Sequence, residues 1–100
     1  MRGSPTAAAP CEAEVVEARK VTERHVLLWL RAPEVALFAE PGQFVHVRAR
    51  EGPMPLLRRP FSIAAAEGDE IALLVERRGL GSALLFNAQE GQRFDLLGPL

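Results

Sequence analysis

Six short runs of branched and aromatic residues, each cut off by proline, glycine or a charged cluster, constrain the fold of this chain more than any other feature. They are Val15 to Val21, Val26 to Leu30, Phe44 to Arg50, Phe61 to Ala65, Ile71 to Arg77 and Phe94 to Leu97. Runs this short at this spacing predict strands, and six of them favour a small antiparallel barrel or sandwich over an α/β fold. In the third run Val45, Val47 and Ala49 alternate with His46, Arg48 and Arg50, the pattern of a strand with one wet face. Pro41 and Gly42 mark its start, and Glu67, Gly68 and Asp69 predict a hairpin turn after the fourth run. One short helix is expected over about Ser82 to Asn87, with Ser82 as its N-cap and Leu84, Leu85 and Ala88 along one side.

A chain of 100 residues makes one small domain. Such a domain buries only about two thirds of the surface its unfolded form exposes, so a large ligand would lie half on the surface. The longest apolar stretch, Val26 to Leu30, is far too short for a membrane-spanning helix. The net charge of -1 provides no field to steer the protein toward nucleic acid or an anionic membrane. Arg48, Arg50, Arg58 and Arg59 do cluster locally. That suits a single small anion better than a long polyanion, although an arginine-rich solvated face would read the same way.

The single cysteine, Cys11, excludes an internal disulfide and an iron–sulfur cluster held wholly by this chain, and points to a reducing, cytoplasmic compartment. Residues 1–12 read as a disordered tail without a secretory core, leaving 13–100 as the domain. His25 and His46 have no partners at metal-ligand spacing, and no GxSxG elbow surrounds Ser62 or Ser82. Trp29 is expected in the core and Asp95 in solvent.

Chemistry concentrates in two places. Arg58, Arg59, Pro60, Phe61, Ser62 and Ile63 put a cation, a fixed backbone, an aromatic ring and a hydroxyl in succession. Arg59 has the planar fork that bonds phosphate oxygens in pairs, Pro60 restricts the backbone, Phe61 offers a ring face or edge, and Ser62 a hydrogen-bonding group. About twenty residues on, Gly79, Leu80, Gly81 and Ser82 open the expected helix, where backbone amides could receive the same phosphates. Taken singly, each motif is also compatible with a turn and a core aromatic. Together, in this order, they suggest a flavin dinucleotide site.

The order RRPFSI, hairpin, apolar strand, GLGSALL and a last strand ending LLGPL resembles the flavin-binding domain of the ferredoxin reductase-like family. Within that family it is most similar to the electron transfer subunits of dihydroorotate dehydrogenase B. The resemblance implies an all-β, six-stranded antiparallel Greek-key barrel with one short helix, binding FAD. It also implies site residues: Arg59 at the pyrophosphate, Pro60, Phe61 and Ser62 at the isoalloxazine, Leu74, Val75 and Glu76 on a strand that touches the flavin largely through backbone, and Gly81 and Ser82 at the pyrophosphate. None of these is expected to be catalytic, since the redox chemistry belongs to the cofactor. Where relatives often carry Tyr and a basic residue, this chain has Val75 and Glu76. A phosphate-neutralising cation at that end of the strand would have to be Arg77 or Arg78 instead.

Similar proteins continue past the GPL segment into a nicotinamide-binding domain and a cysteine-rich segment. The resemblance therefore implies NAD and an iron–sulfur cluster only through segments outside these residues. It likewise implies a partner, either a catalytic dehydrogenase subunit or a separate nicotinamide-binding domain, in pyrimidine biosynthesis. A flavin subunit of hydrogenase or NADPH:ferredoxin reductase type, or a cofactor-free barrel serving as an interaction module, are the alternatives.

Overall fold

The computed structural model describes residues 10–49 and 58–100. The strands are β1 (Pro10–Lys20), β2 (His25–Arg31), β3 (Phe44–Ala49), β4 (Arg58–Glu67), β5 (Glu70–Glu76) and β6 (Arg93–Leu97). They close into an antiparallel barrel in the order β1-β2-β5-β4-β3-β6. In this order β3, β4 and β5 are successive neighbours, while β6 returns beside β3 and β2 lies beside β5. Each return makes a Greek key, so two of them overlap in one barrel.

Strand alternation fills the interior. On β2, Val26, Leu28 and Leu30 point inward, and on β5 Ile71, Leu73 and Val75 do the same, all nearly inaccessible to solvent. Phe94 and Leu96 of β6 complete the core. Bulges at Val15/Glu17 on β1 and Ile63/Ala65 on β4 break the register. An extra residue in one strand sharpens its bend, which helps a small sheet close on itself.

Several expectations are corrected in detail. Alongside the expected helix, here α2 (Leu80–Phe86), there is a second, α1 (Pro33–Ala36). It starts with proline in its first turn and buries only Val35, too short a segment for helical periodicity to show. Ser82 is not the N-cap of α2. Gly79 holds that place and Ser82 lies three positions on, its hydroxyl reaching back to the turn. Trp29 stands on the outer face of β2 and is half-buried, because alternation gives the interior to Leu28 and Leu30. Asp95 is not simply solvated: it faces Arg48 across β6 and β3 and accepts a hydrogen bond from its guanidinium at 2.8 Å. Finally, β1 reaches back to Pro10, so 10–12 belong to the barrel rather than to a tail, while the rest of the expected tail and Arg50 lie outside the described residues.

The C-terminal Gly98, Pro99 and Leu100 are tied to the start of β3. The Leu100 amide donates to the Phe44 carbonyl at 2.7 Å, and the Phe44 amide donates back to the Leu100 carbonyl at 3.3 Å. Gly98 makes this close approach with φ at +148, a backbone angle that side chains rarely allow.

Candidate functional site

An open groove of about 540 Å³ runs over β3, β4 and β5 and the turn leading into α2. Its volume lies within the usual range for small-molecule sites. Three outward positions on adjacent strands, two of them apolar, form one part of its wall. Phe44 stands directly opposite Ser62 in the β3–β4 register. Leu74 projects from β5 between the inward Leu73 and Val75. Phe44 and Leu74 are each 47% exposed, so a row of apolar surface is left facing solvent around a hydroxyl.

Phe61 also lines the groove but packs partly against the core. Its register partner is the fully buried Val45, which explains why its ring is only half available. Ser62 is exposed, and the two successive residues thus present different faces to the groove. Pro60 lies between Phe61 and Arg59 on the groove wall. Having no amide hydrogen, it donates nothing to its register partner His46 on β3.

Charge gathers at the other end. Arg59 is exposed, lines the groove, and has no ion-pair partner among the described residues. Arg78 reaches the same groove from the turn before α2, with its Nε 3.5 Å from the Glu76 carboxylate. The neighbouring Arg77 takes a different direction. Its guanidinium and the Lys20 ammonium lie 5.6 and 5.5 Å from the centroid of the Phe86 ring, so Arg77 is engaged at the helix packing site.

Ser82 shapes the turn that carries Arg78. Its Oγ accepts from the amides of Arg78 at 2.8 Å and Gly79 at 3.0 Å, and donates to the Gly79 carbonyl at 3.2 Å. A serine in the third helical position is thus doing what a capping side chain does, from inside the helix. Gly81 is the second residue of α2.

A row of exposed apolar surface, one hydroxyl and two guanidiniums on a rigid sheet suit a flat, largely apolar ring with an anionic tail. The sequence-based candidates Arg59, Pro60, Phe61, Ser62, Leu74, Glu76 and Ser82 all line this groove. Val75 does not: its side chain is fully buried in the barrel, so only its backbone faces outward chemistry. Arg78 and Gly79, read from the sequence as parts of the turn before the helix, line the groove as well, and so does Phe44, which was not among the candidates.

No family model matches the chain. It is 42% identical over 88 residues to the electron transfer subunit of dihydroorotate dehydrogenase B (NAD(+)) of Geobacillus thermodenitrificans, a match covering 86% of this chain and 34% of that protein. The ferredoxin reductase of carbazole 1,9a-dioxygenase superimposes with a TM-score of 0.79 at 31% identity, covering 92% of this chain and 29% of that one. The NADH-dependent reduced ferredoxin–NADP oxidoreductase of flavin-based electron bifurcation gives a TM-score of 0.76 at 30% identity, covering 88% and 32%. The chain belongs to the ferredoxin reductase-like family.

The chain spans about a third of the length of the relatives it matches. In this family barrel the groove falls on the three strands that carry the RRPFSI run and its neighbours. Phe44 could have been found from sequence only through its pairing with Ser62, since the two are separated by a long connection. Arg78 had a signal of its own, as one of two cations placed just before the glycines. Among the described residues no helix is long and apolar enough to cross a membrane.

Proposed function

We propose that this chain is the FAD-binding, electron-transferring barrel of a dihydroorotate dehydrogenase B-type electron transfer subunit. The observation that carries the reading is the groove itself, where Arg59 stands without an ion-pair partner among the described residues beside the exposed Phe44, Ser62 and Leu74. The residues fit such a cofactor. Arg59 would meet the pyrophosphate, Phe44 and Leu74 would cover the isoalloxazine with the exposed part of Phe61, and Ser62 would address its polar edge. Glu76 and Val75 would contribute through the β5 backbone, and Gly81 and Ser82 through the turn into α2.

When bound, FAD supplies the capacity to accept electrons in a pair and release them singly; the protein's part is placement and electrostatics. In the whole protein, electrons would pass between NAD(H) and an iron–sulfur cluster held by other segments, and on to a catalytic dehydrogenase subunit in pyrimidine biosynthesis. The cytoplasm is the compartment in which such a reducing relay would work.

The test is titration calorimetry of the full chain with FAD. One set of charge-assisted hydrogen bonds is worth about 1.5 to 3 kcal/mol, so Arg59→Ala should weaken FAD roughly tenfold to a hundredfold. FMN, with a single phosphate and no pyrophosphate, should lose less. Equal affinity of parent and variant for FAD would refute the assignment of Arg59.

A further inference from the structure

We infer that Arg78 is the second phosphate-binding cation of the groove, with Glu76 holding its guanidinium at the groove wall until a phosphate competes for it. The inference rests on the flavin reading above and deepens it, because it says what makes the site select a dinucleotide over a mononucleotide.

Two adjacent arginines precede the glycine turn, and of the two Arg78 lines the groove. Arg77 lies over the Phe86 ring, which it shares with Lys20, and points away from the groove lining. Arg78 instead lines the groove, as Arg59 does. A diphosphate carries two charged groups, and Arg59 alone can form a bidentate contact with only one of them. The groove therefore has a cation for each phosphate if Arg78 is free to move.

It is free enough. The Arg78 side chain is 77% exposed and that of Glu76 41%, and their separation of 3.5 Å is long for a charged hydrogen bond. An ion pair at that exposure is held weakly and is screened by salt, whereas a phosphate offers a stronger and bidentate partner. Glu76 therefore restrains Arg78 without trapping it. Its cost appears on the other side: once Arg78 turns to the ligand, the carboxylate is left near a dianion and opposes it.

The backbone of the turn points the same way. Of the amides in the turn, those of Arg78 and Gly79 both donate to Ser82 Oγ and are not open to a ligand. Two fewer amides are then left for a phosphate, which raises the share of charge compensation that a side chain such as Arg78 must supply. Ser82 is a positioning residue here, fixing the loop from which Arg78 projects.

The experiment titrates the full chain and its Arg78→Ala and Glu76→Gln variants with FAD, FMN and inorganic pyrophosphate. Arg78→Ala should weaken FAD about tenfold and FMN no more than about twofold, and Glu76→Gln should tighten FAD about threefold. Melting temperatures should stay close to the parent's, since both side chains are on the surface. FAD affinity unchanged in Arg78→Ala, or equal losses for FAD and FMN, would overturn the inference. A parent that takes up no FAD would overturn the flavin reading instead. Inorganic pyrophosphate then decides alone: a roughly tenfold loss in Arg78→Ala supports the two-cation site, and no loss overturns it.

Discussion

Replacing Gly98 by alanine tests how strongly the C-terminal segment holds the groove's aromatic strand. Gly98 has φ of +148, and a Cβ built there would come within 3.1 Å of the Phe44 carbonyl oxygen, 3.2 Å of the Leu100 amide nitrogen and 3.2 Å of Val45 Cγ1. Two of these neighbours are backbone atoms locked by mutual hydrogen bonds between Phe44 and Leu100, so they cannot swing aside as a flexible side chain would. The unfavourable backbone angle alone costs about 1 to 3 kcal/mol. Crowding against a packed strand adds about 1 to 3 kcal/mol. A total of about 3 kcal/mol, toward the lower part of that sum, would lower the melting temperature of a domain this size by about 12 to 24 °C.

Gly91 supplies the control. Its φ is +89, yet nothing lies within 4 Å of its missing Cβ, so Gly91→Ala should show only the backbone term, about 1 to 2 kcal/mol. Thermal melts followed by circular dichroism on the parent and both variants separate the two contributions. If Gly98→Ala melts no lower than Gly91→Ala, the approach to Phe44 and Val45 has no energetic weight. If it melts with the parent, the backbone angle carries no cost either.

Ser82→Ala removes the acceptor for two turn amides and should cost about 1 kcal/mol, a typical value for removing a capping side chain. Hydrogen exchange should quicken at the Arg78 and Gly79 amides while the β5 interior stays protected; unchanged exchange at both would show that Ser82 Oγ does not hold them. Cys11 is half-buried, and desolvation, followed by Glu34 and Asp95, pushes its thiol from an ordinary 9.0 up to about 11. Only about 0.1% would be thiolate at pH 8, so alkylation of the folded chain should be slow and accelerate about tenfold per pH unit until near 11. The folded chain keeps this proton where the unfolded chain has lost it, so stability should fall as pH climbs from about 9 through 11; labelling at pH 8 at the rate of an unstructured cysteine would contradict the burial.

What was legible in the sequence follows the range of the interactions involved. Alternation is local, and it located the strands and the wet face of β3. Applied to Val26, Leu28 and Leu30, the same alternation puts Trp29 outside, a consequence hidden by treating that stretch as a uniform apolar run. The RRPFSI run was readable because its side chains are contiguous. Phe44 was not, since its place beside Ser62 depends on the register of two strands joined by a long connection. Asp95 was missed for the same reason: its partner Arg48 lies on a strand brought alongside only by the Greek-key return. The different fates of Arg77 and Arg78 depend on how a turn directs two identical side chains, and composition carries no information about that.

The same alternation separates the groove from the core that supports it. On β5, Leu73 and Val75 fill the barrel while Leu74 and Glu76 face the groove, so the ligand-facing residues can vary with little effect on the fold. Val75 is a core position of β5, whereas Glu76 faces the groove and can change without disturbing the barrel interior. Phe44 is the exception. Its ring faces the groove, but its backbone is held by Leu100 and would be crowded by any side chain at position 98, so a change in the Gly98 to Leu100 segment reaches the site and the barrel together. A variant that weakens flavin binding through Arg78 should therefore leave melting unchanged, whereas one acting through Gly98 should lower both, and that contrast follows from which side of the strand each residue serves.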